Sequence, residues 1–245
     1  NAIRAAESGR PGASFLGLPK DIGLADLKDT STKGWGQSYS LGPSQSFVLD
    51  QAAQTIQAMR KPFMLLGMQA SSKQYAEDLI TYVRHSGIPY ASTFQGPGSW
   101  VAPELYAGRL GLFRNQPADS LLNQADGVIC IGFDPVEYDP SIWNTSNPRS
   151  IISVDVKPAD QDRAFLPEIE LIGDIGQNLQ ALSKRPVPNV DVAYKELAAD
   201  RKAELQATVQ EGSAMNGSPI HPLRVLHELK QVVTPETTLC LDVGS

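Results

Sequence analysis

The sequence predicts an α/β fold, a doubly wound parallel sheet over residues 44–184, and three observations carry that prediction. Short, unbroken apolar runs recur along the chain, as strands buried on both faces require. Stretches with apolar residues at helical spacing separate those runs. Segments rich in Gly, Ser and Pro flank the whole, at 30–46 and 185–191, and read as linkers.

Taken in order, residues 1–9 read as the end of a helix stopped by Gly9 and Pro11, and 14–18 as an apolar strand. The run 62–68 is the first strand of the sheet. Residues 71–86 then place Tyr75, Leu79, Tyr82 and Val83 on one helical face, with Ser71 and Gln74 as a capping box and Gly87 as the stop. Strand 88–94 leads through Gln95-Gly96-Pro97-Gly98 into a looser stretch. Ala118, Leu121, Leu122 and Ala125 mark a further helix with Pro117 at its first position. Strands follow at 127–133, 151–156 and 169–173, and Asp174 caps a helix that turns Ile175, Leu179 and Leu182 inward. Residues 192–211 form a mostly charged helix whose thin apolar stripe (Leu197, Leu205, Val209) suits a surface position bridging two units. A strand-like run closes the chain at 238–243.

Composition removes several function classes. The 245 residues carry 21 Lys+Arg against 27 Asp+Glu, a formal net charge of −6, with no basic cluster, so nucleic acid is not an expected partner. The longest apolar stretch, 128–133, is far short of the roughly 20 residues that span a bilayer, so no membrane partner is expected and a cytoplasmic location is. Cys130 and Cys240 each sit in an apolar run and read as small buried hydrophobes. His85, His221 and His227 lie far apart and lack zinc-site spacing, which makes them surface or packing residues. The sequons at Asn144 and Asn216 read as chance matches. No Gly-Lys pair, no Gly-x-Gly-x-x-Gly and no Gly-x-Ser-x-Gly occurs, so phosphate-loop, dinucleotide and serine-hydrolase fingerprints are absent.

Ligands of a parallel sheet bind beyond the carboxyl ends of its strands, which directs attention to 69–71, 95–99, 134–140 and 155–158. The loop 134–140 offers Asp134, Glu137 and Asp139, a set suited to metal ligation or to acid and base work. Pro135 and Pro140 also fit a solvated loop, and that reading is favoured because no histidine or further carboxylate completes a site. Asp155, at a strand end, suits either a ribose hydroxyl or a turn cap.

The order Ser8-Gly9-Arg10-Pro11-Gly12, Leu18-Pro19-Lys20-Asp21, Gly173-Asp174 and Leu241-Asp242-Val243-Gly244-Ser245 resembles the thiamine-diphosphate-dependent decarboxylase and synthase superfamily over the whole chain. Residues 107–116 and 128–140 resemble its catabolic, flavin-free acetolactate synthases. The resemblance implies the central domain of thiamine-diphosphate enzymes, a sheet of the NAD/FAD-binding type, at 44–184. Stubs of a pyrimidine-binding domain (1–29) and a diphosphate-binding domain (221–245) would flank it, joined by a linker (30–43) and by a linker with a surface helix (185–220). The chain is accordingly expected to be a piece of a longer polypeptide.

The implied parent condenses two pyruvates to 2-acetolactate and CO2 with thiamine diphosphate and Mg2+, as a homodimer or homotetramer. Its catalytic glutamate would lie before Asn1 and its metal motif after Ser245, so this chain is expected to hold no catalytic or metal residue and to be inactive alone. Val243, Gly244 and Ser245 match positions that meet the cofactor diphosphate through backbone amides, and Gln95 and Phe113 match loops at the substrate entrance. The FAD-carrying branch has an Arg-Phe-Asp-Asp run where this chain has Asp134-Pro135-Val136-Glu137. Asp134 beside a flavin diphosphate would repel it, so no FAD is expected. A pyruvate oxidase or decarboxylase is the neighbouring alternative, and a stand-alone nucleotide-binding or structural module the alternative from another class.

Overall fold

The computed structural model describes residues 2–26, 41–112, 116–146, 148–234 and 236–240. Two short helices, α1 (Ala2–Glu7) and α2 (Lys20–Gly23), come first, and α3 (Ser46–Ala58) leads into β1 (Pro62–Leu66). Then follow α4 (Ala76–Ser86), β2 (Tyr90–Thr93), β3 (Tyr106–Leu110), α5 (Asp119–Gln124), β4 (Gly127–Ile131), α6 (Pro140–Trp143), β5 (Ser150–Asp155) and β6 (Ile169–Ile172). Three helices end the described chain: α7 (Ile175–Leu182), α8 (Val192–Glu211) and α9 (Pro222–Val232).

The strands pair in parallel in the order β3-β2-β1-β4-β5-β6, so the chain winds outward from β1, returns to β4 and winds outward again. This is the doubly wound sheet that the apolar runs predict. Side chains alternate between the faces of a strand, and β1, β2 and β4 are buried at every position, so both faces are covered. On one side α3 and α4 pack against α7, while α5 packs against α8. Buried Asn178 donates to the carbonyl of Leu171 (3.2 Å) and accepts from the amide of Ser44 (2.8 Å), fixing β6 to the approach of α3.

Several elements differ from the sequence reading. No capping box forms at Ser71 and Gln74. Residues 68–75 instead wind into two 3-10 turns, because the amide of Gln69 bonds to the carbonyl of Gly132 (3.0 Å) and draws the chain onto β4. Helix α4 therefore starts only at Ala76, with no side-chain cap at Tyr75, and Ser71 Oγ donates to the carbonyl of Gln95 (3.0 Å). Pro117 stands before α5 rather than at its first position. Asp119 shapes that start by accepting from the amide of Gln116 (2.7 Å).

Helix α3 is an addition to the elements that the sequence predicts, and its buried residues Leu49, Ala52, Ala53 and Ile56 have helical spacing. Strand β3 stands where the sequence predicts a looser stretch, since Gly108 and Arg109 interrupt its apolar pattern. Residues 11–19 form no strand, and Phe15 is 94 % exposed. At the other end, 238–240 are irregular, Cys240 is exposed rather than buried, and 241–245 lie outside the described residues, as does most of the linker placed at 30–43. Cys130 is buried as expected, and Asn144 is buried too, its amide donating to the carbonyl of Ala164 (2.8 Å).

Helix α8 covers the free edge of the sheet by lying on β3. The stripe it uses is wider than the sequence suggested, because Tyr194 and Ala198 are buried and Tyr194 Oη donates to the carbonyl of Leu121 (3.0 Å). The approach depends on Gly108, whose φ is +129° and where an added Cβ would meet Leu205 Cδ1 at 2.8 Å. Gly108→Ala is therefore expected to lower unfolding free energy in urea by about 2 kcal/mol, from backbone strain and overpacking together. Adding Leu205→Ala should recover the packing part, so the double variant should lose less than the sum of the two single changes. Simple additivity would show that α8 does not rest on Gly108.

Candidate functional site

A doubly wound sheet opens a crevice where its winding reverses, here between the carboxyl ends of β1 and β4. Past those ends Gly67 and Gln69 still donate to the carbonyls of Ile131 and Gly132, but the amides of Met68 and Asp134 take a side-chain acceptor instead. Both are satisfied by one side chain. Glu137 Oε2 accepts from Met68 N (2.9 Å) and from Thr93 Oγ1 (2.5 Å), and Glu137 Oε1 accepts from Asp134 N (2.9 Å). Glu137 is only 3 % exposed. Burial pushes its carboxyl above the ordinary glutamate value, and the three hydrogen bonds only partly oppose that rise. The turn into this loop needs Gly132, whose φ is +56° and where a Cβ would stand 2.6 Å from Ala70 N.

The loop 134–140 is thus not a solvated loop, which corrects the sequence reading. Glu137, Tyr138 and Pro140 are buried, Tyr138 Oη donates to Asp119 (2.7 Å), and Asp139 caps α6 by accepting from Ser141 N (2.9 Å). The acidic character that suggested a metal site serves internal hydrogen bonding. Among the described residues, no group of three His, Cys, Asp or Glu is placed to hold a metal ion.

Beside the crevice, the ends of β4 and β5 meet the N-terminal segment through Arg10. Its Nη2 donates to Asp155 Oδ2 (2.7 Å) and to the carbonyl of Phe133 (3.0 Å), its Nε to Asp155 Oδ1 (3.2 Å), and its Nη1 to Asp134. Burial works against the Arg10 charge, but the bonds and charges of Asp155, and then of Asp134, outweigh it and raise its value. Asp155, 3 % exposed, also accepts from the amide of Val156 (2.7 Å). The structure gives Asp155 an ion pair that spacing alone did not reveal, beside its bond to the next amide.

Gln95 lies exposed on the turn after β2, at the same edge of the sheet, held by Ser71 through its carbonyl. Phe113, Val243, Gly244 and Ser245 lie outside the described residues. Sequence reasoning missed the joint role of Thr93, Glu137 and Arg10. Arg10 stood in a quoted motif, but its partners are 124 and 145 residues away, and only folding shows which carboxylates it meets. A cavity of about 630 Å3 lies elsewhere, between Met215, Ile220, Arg224, Val225, Leu229 and Val232 on and before α9. None of its lining residues belongs to the strand ends, and its charged groups Arg224 and Glu228 are paired with each other (2.8 Å).

Arg10→Ala would strand the buried Asp155 carboxylate, so stability is expected to fall by about 3 kcal/mol in urea. Because residues 11–26 are otherwise exposed, the same change should make them cleavable by protease well below the unfolding transition. Arg10→Lys, which lacks the fork, should restore only part of the loss. Proteolysis at the wild-type rate would show that Arg10 does not fasten this segment.

Glu137 yields a pH prediction. A carboxyl whose value is higher folded than unfolded binds more protons in the fold, so its contribution is largest at low pH and declines as pH rises past the ordinary 4.5. Wild-type stability minus that of Glu137→Gln should therefore decrease from below pH 4.5 to neutrality. A difference that grows over that interval would reverse the sign.

Residues 49–182 match the family described as thiamine pyrophosphate enzyme, central domain. Over its whole length the chain is 36 % identical to the catabolic acetolactate synthase of Raoultella terrigena and 34 % identical to the acetolactate synthase of Bacillus subtilis. It spans less than half of those relatives, 44 % and 43 % of their lengths. A solved structure from Mycobacterium smegmatis, described as thiamin diphosphate-dependent, shares the fold with a TM-score of 0.59 at 19 % identity, over 76 % of this chain and 35 % of that one. With more than half of its residues matched, the chain belongs to the thiamine pyrophosphate enzyme family and carries that family's central domain.

Proposed function

We propose that this chain is the central portion of an acetolactate synthase, a protein that condenses two pyruvates to 2-acetolactate and CO2. The observation that carries the proposal is identity of 36 % and 34 % to acetolactate synthases along the entire chain, flanks included. Residues 1–29 and 221–245 are then stubs of the pyrimidine- and diphosphate-binding domains, with 30–43 and 185–220 as connections.

In this reading thiamine diphosphate, held with Mg2+, supplies the electron sink for pyruvate decarboxylation. Val243, Gly244 and Ser245 would meet its diphosphate through backbone amides. The described residues contribute no metal cradle, so no catalytic step is assigned to them. Their part is mechanical: the sheet fixes the loops at its carboxyl edge, where Gln95 and, by proposal, Phe113 face the substrate entrance. The parent is proposed to be a cytoplasmic homodimer or homotetramer. No helix among the described residues is long and apolar enough to cross a membrane.

The parent is further proposed to work without FAD. Repulsion by Asp134 is a weak ground for this, because Arg10 compensates that charge. Better support comes from Glu137, which already takes the amides beyond β1 and β4.

The full-length protein is expected to form acetolactate from pyruvate only when thiamine diphosphate and Mg2+ are supplied, and the 245-residue chain alone to form none. Acetaldehyde as the product would favour a decarboxylase. Oxygen-dependent turnover with bound flavin would favour an oxidase.

A further inference from the structure

We propose that the crevice beyond β1 and β4 is an oxyanion cradle occupied by the chain's own Glu137, which stands where a nucleotide phosphate would otherwise bind. In sheets of this topology that crevice takes phosphate through backbone amides. Here two such amides, Met68 N and Asp134 N, with the Thr93 hydroxyl, converge on one carboxylate at 2.5–2.9 Å. The cradle is built on all sides. An added Cβ at Gly67 would reach Glu137 Oε1 at 2.9 Å and the carbonyl of Gly132 at 2.4 Å, and one at Gly111 would reach the carbonyl of Glu137 at 2.4 Å.

The donors are therefore spoken for, and the space in front of them is filled. A nucleotide entering the crevice would have to displace a side chain tethered four residues or fewer from the turn that carries one of the donors. The tether gives the resident carboxylate a high effective concentration, which favours it over a free anion at ordinary concentrations. Removing the Glu137 side chain leaves the two amides and the Thr93 hydroxyl without their acceptor, so an oxyanion admitted to the emptied cradle is expected to take its place. The proposal deepens the flavin-free reading given above and supplies its physical cause.

The test uses the full 245-residue chain and inorganic phosphate as probe. Glu137→Ala should unfold at lower temperature than wild type. Phosphate should raise its Tm as the logarithm of concentration above the dissociation constant, by about 3–6 °C at ten times that constant, against chloride of equal ionic strength. Wild type and Glu137→Gln, in which the space stays filled, should show no such rise. If Glu137→Ala does not survive purification, its refolding yield should depend on phosphate over chloride in the same way.

No phosphate effect on either Tm or refolding of Glu137→Ala would overturn the proposal, and so would an equal effect on Glu137→Gln, which would place the anion elsewhere. In wild type, the amide resonances of Met68 and Asp134 should stay unmoved by ADP; a saturable shift would show that Glu137 does not guard the crevice. Flavin co-purifying with wild type would end the flavin-free reading, whereas a Glu137→Ala variant indifferent to phosphate would end only the assignment to Glu137.

Discussion

Where β1 and β4 part company, two backbone amides leave the sheet ladder and need another acceptor, which the buried Glu137 supplies. The way this chain meets that requirement shapes the whole carboxyl edge of its sheet. The acceptor is a side chain three residues further along the loop that starts at Asp134, so the loop has to fold back over the strand ends. Once it does, Tyr138 reaches Asp119, Asp139 starts α6, and Trp143 comes to rest against Phe133 with ring centroids 6.5 Å apart. Thr93 at the end of β2 joins the same carboxylate. The ends of three neighbouring strands are thereby fixed relative to one another through one residue.

Charge at this edge is arranged around burial. Asp155 ends an interior strand almost wholly buried, and the Arg10 guanidinium meets it with a two-pronged contact. Asp134, less buried, shares the same cation. The N-terminal segment is attached to the sheet chiefly by this contact, since α1 and α2 bury no residue. An acidic chain thus uses a half-buried cation to join a flank to the domain.

The chemistry implied by the family is cofactor chemistry, for which protein side chains orient and enclose rather than react. Among the described residues the crevice is filled from within, and the carboxyl-edge loops are held by Glu137 and Arg10. The exposed apolar residues of the flanks, Phe15, Leu18, Ile220 and Val225 among them, belong to segments outside the matched central domain.

By itself the sequence determined the sheet. Unbroken runs such as 62–66 and 127–131 and the helical spacing of 76–86 are local signals, strong because burial on two faces admits only apolar residues. Weakly apolar β3 escaped, as did α3, whose spacing was present but sat beside a segment that reads as linker. The motifs at both ends, with the segments 107–116 and 128–140, carried the resemblance to the family that residues 49–182 match. Tertiary structure alone decided which carboxylate is buried, which is paired and which is exposed. Glu137 and Asp139 are two residues apart in one acidic loop, and nothing local separates the residue that fills the crevice from the one that caps a helix. That distinction depends on donors from β1 and β2, at least 44 residues away along the chain, meeting the loop only after the sheet has formed.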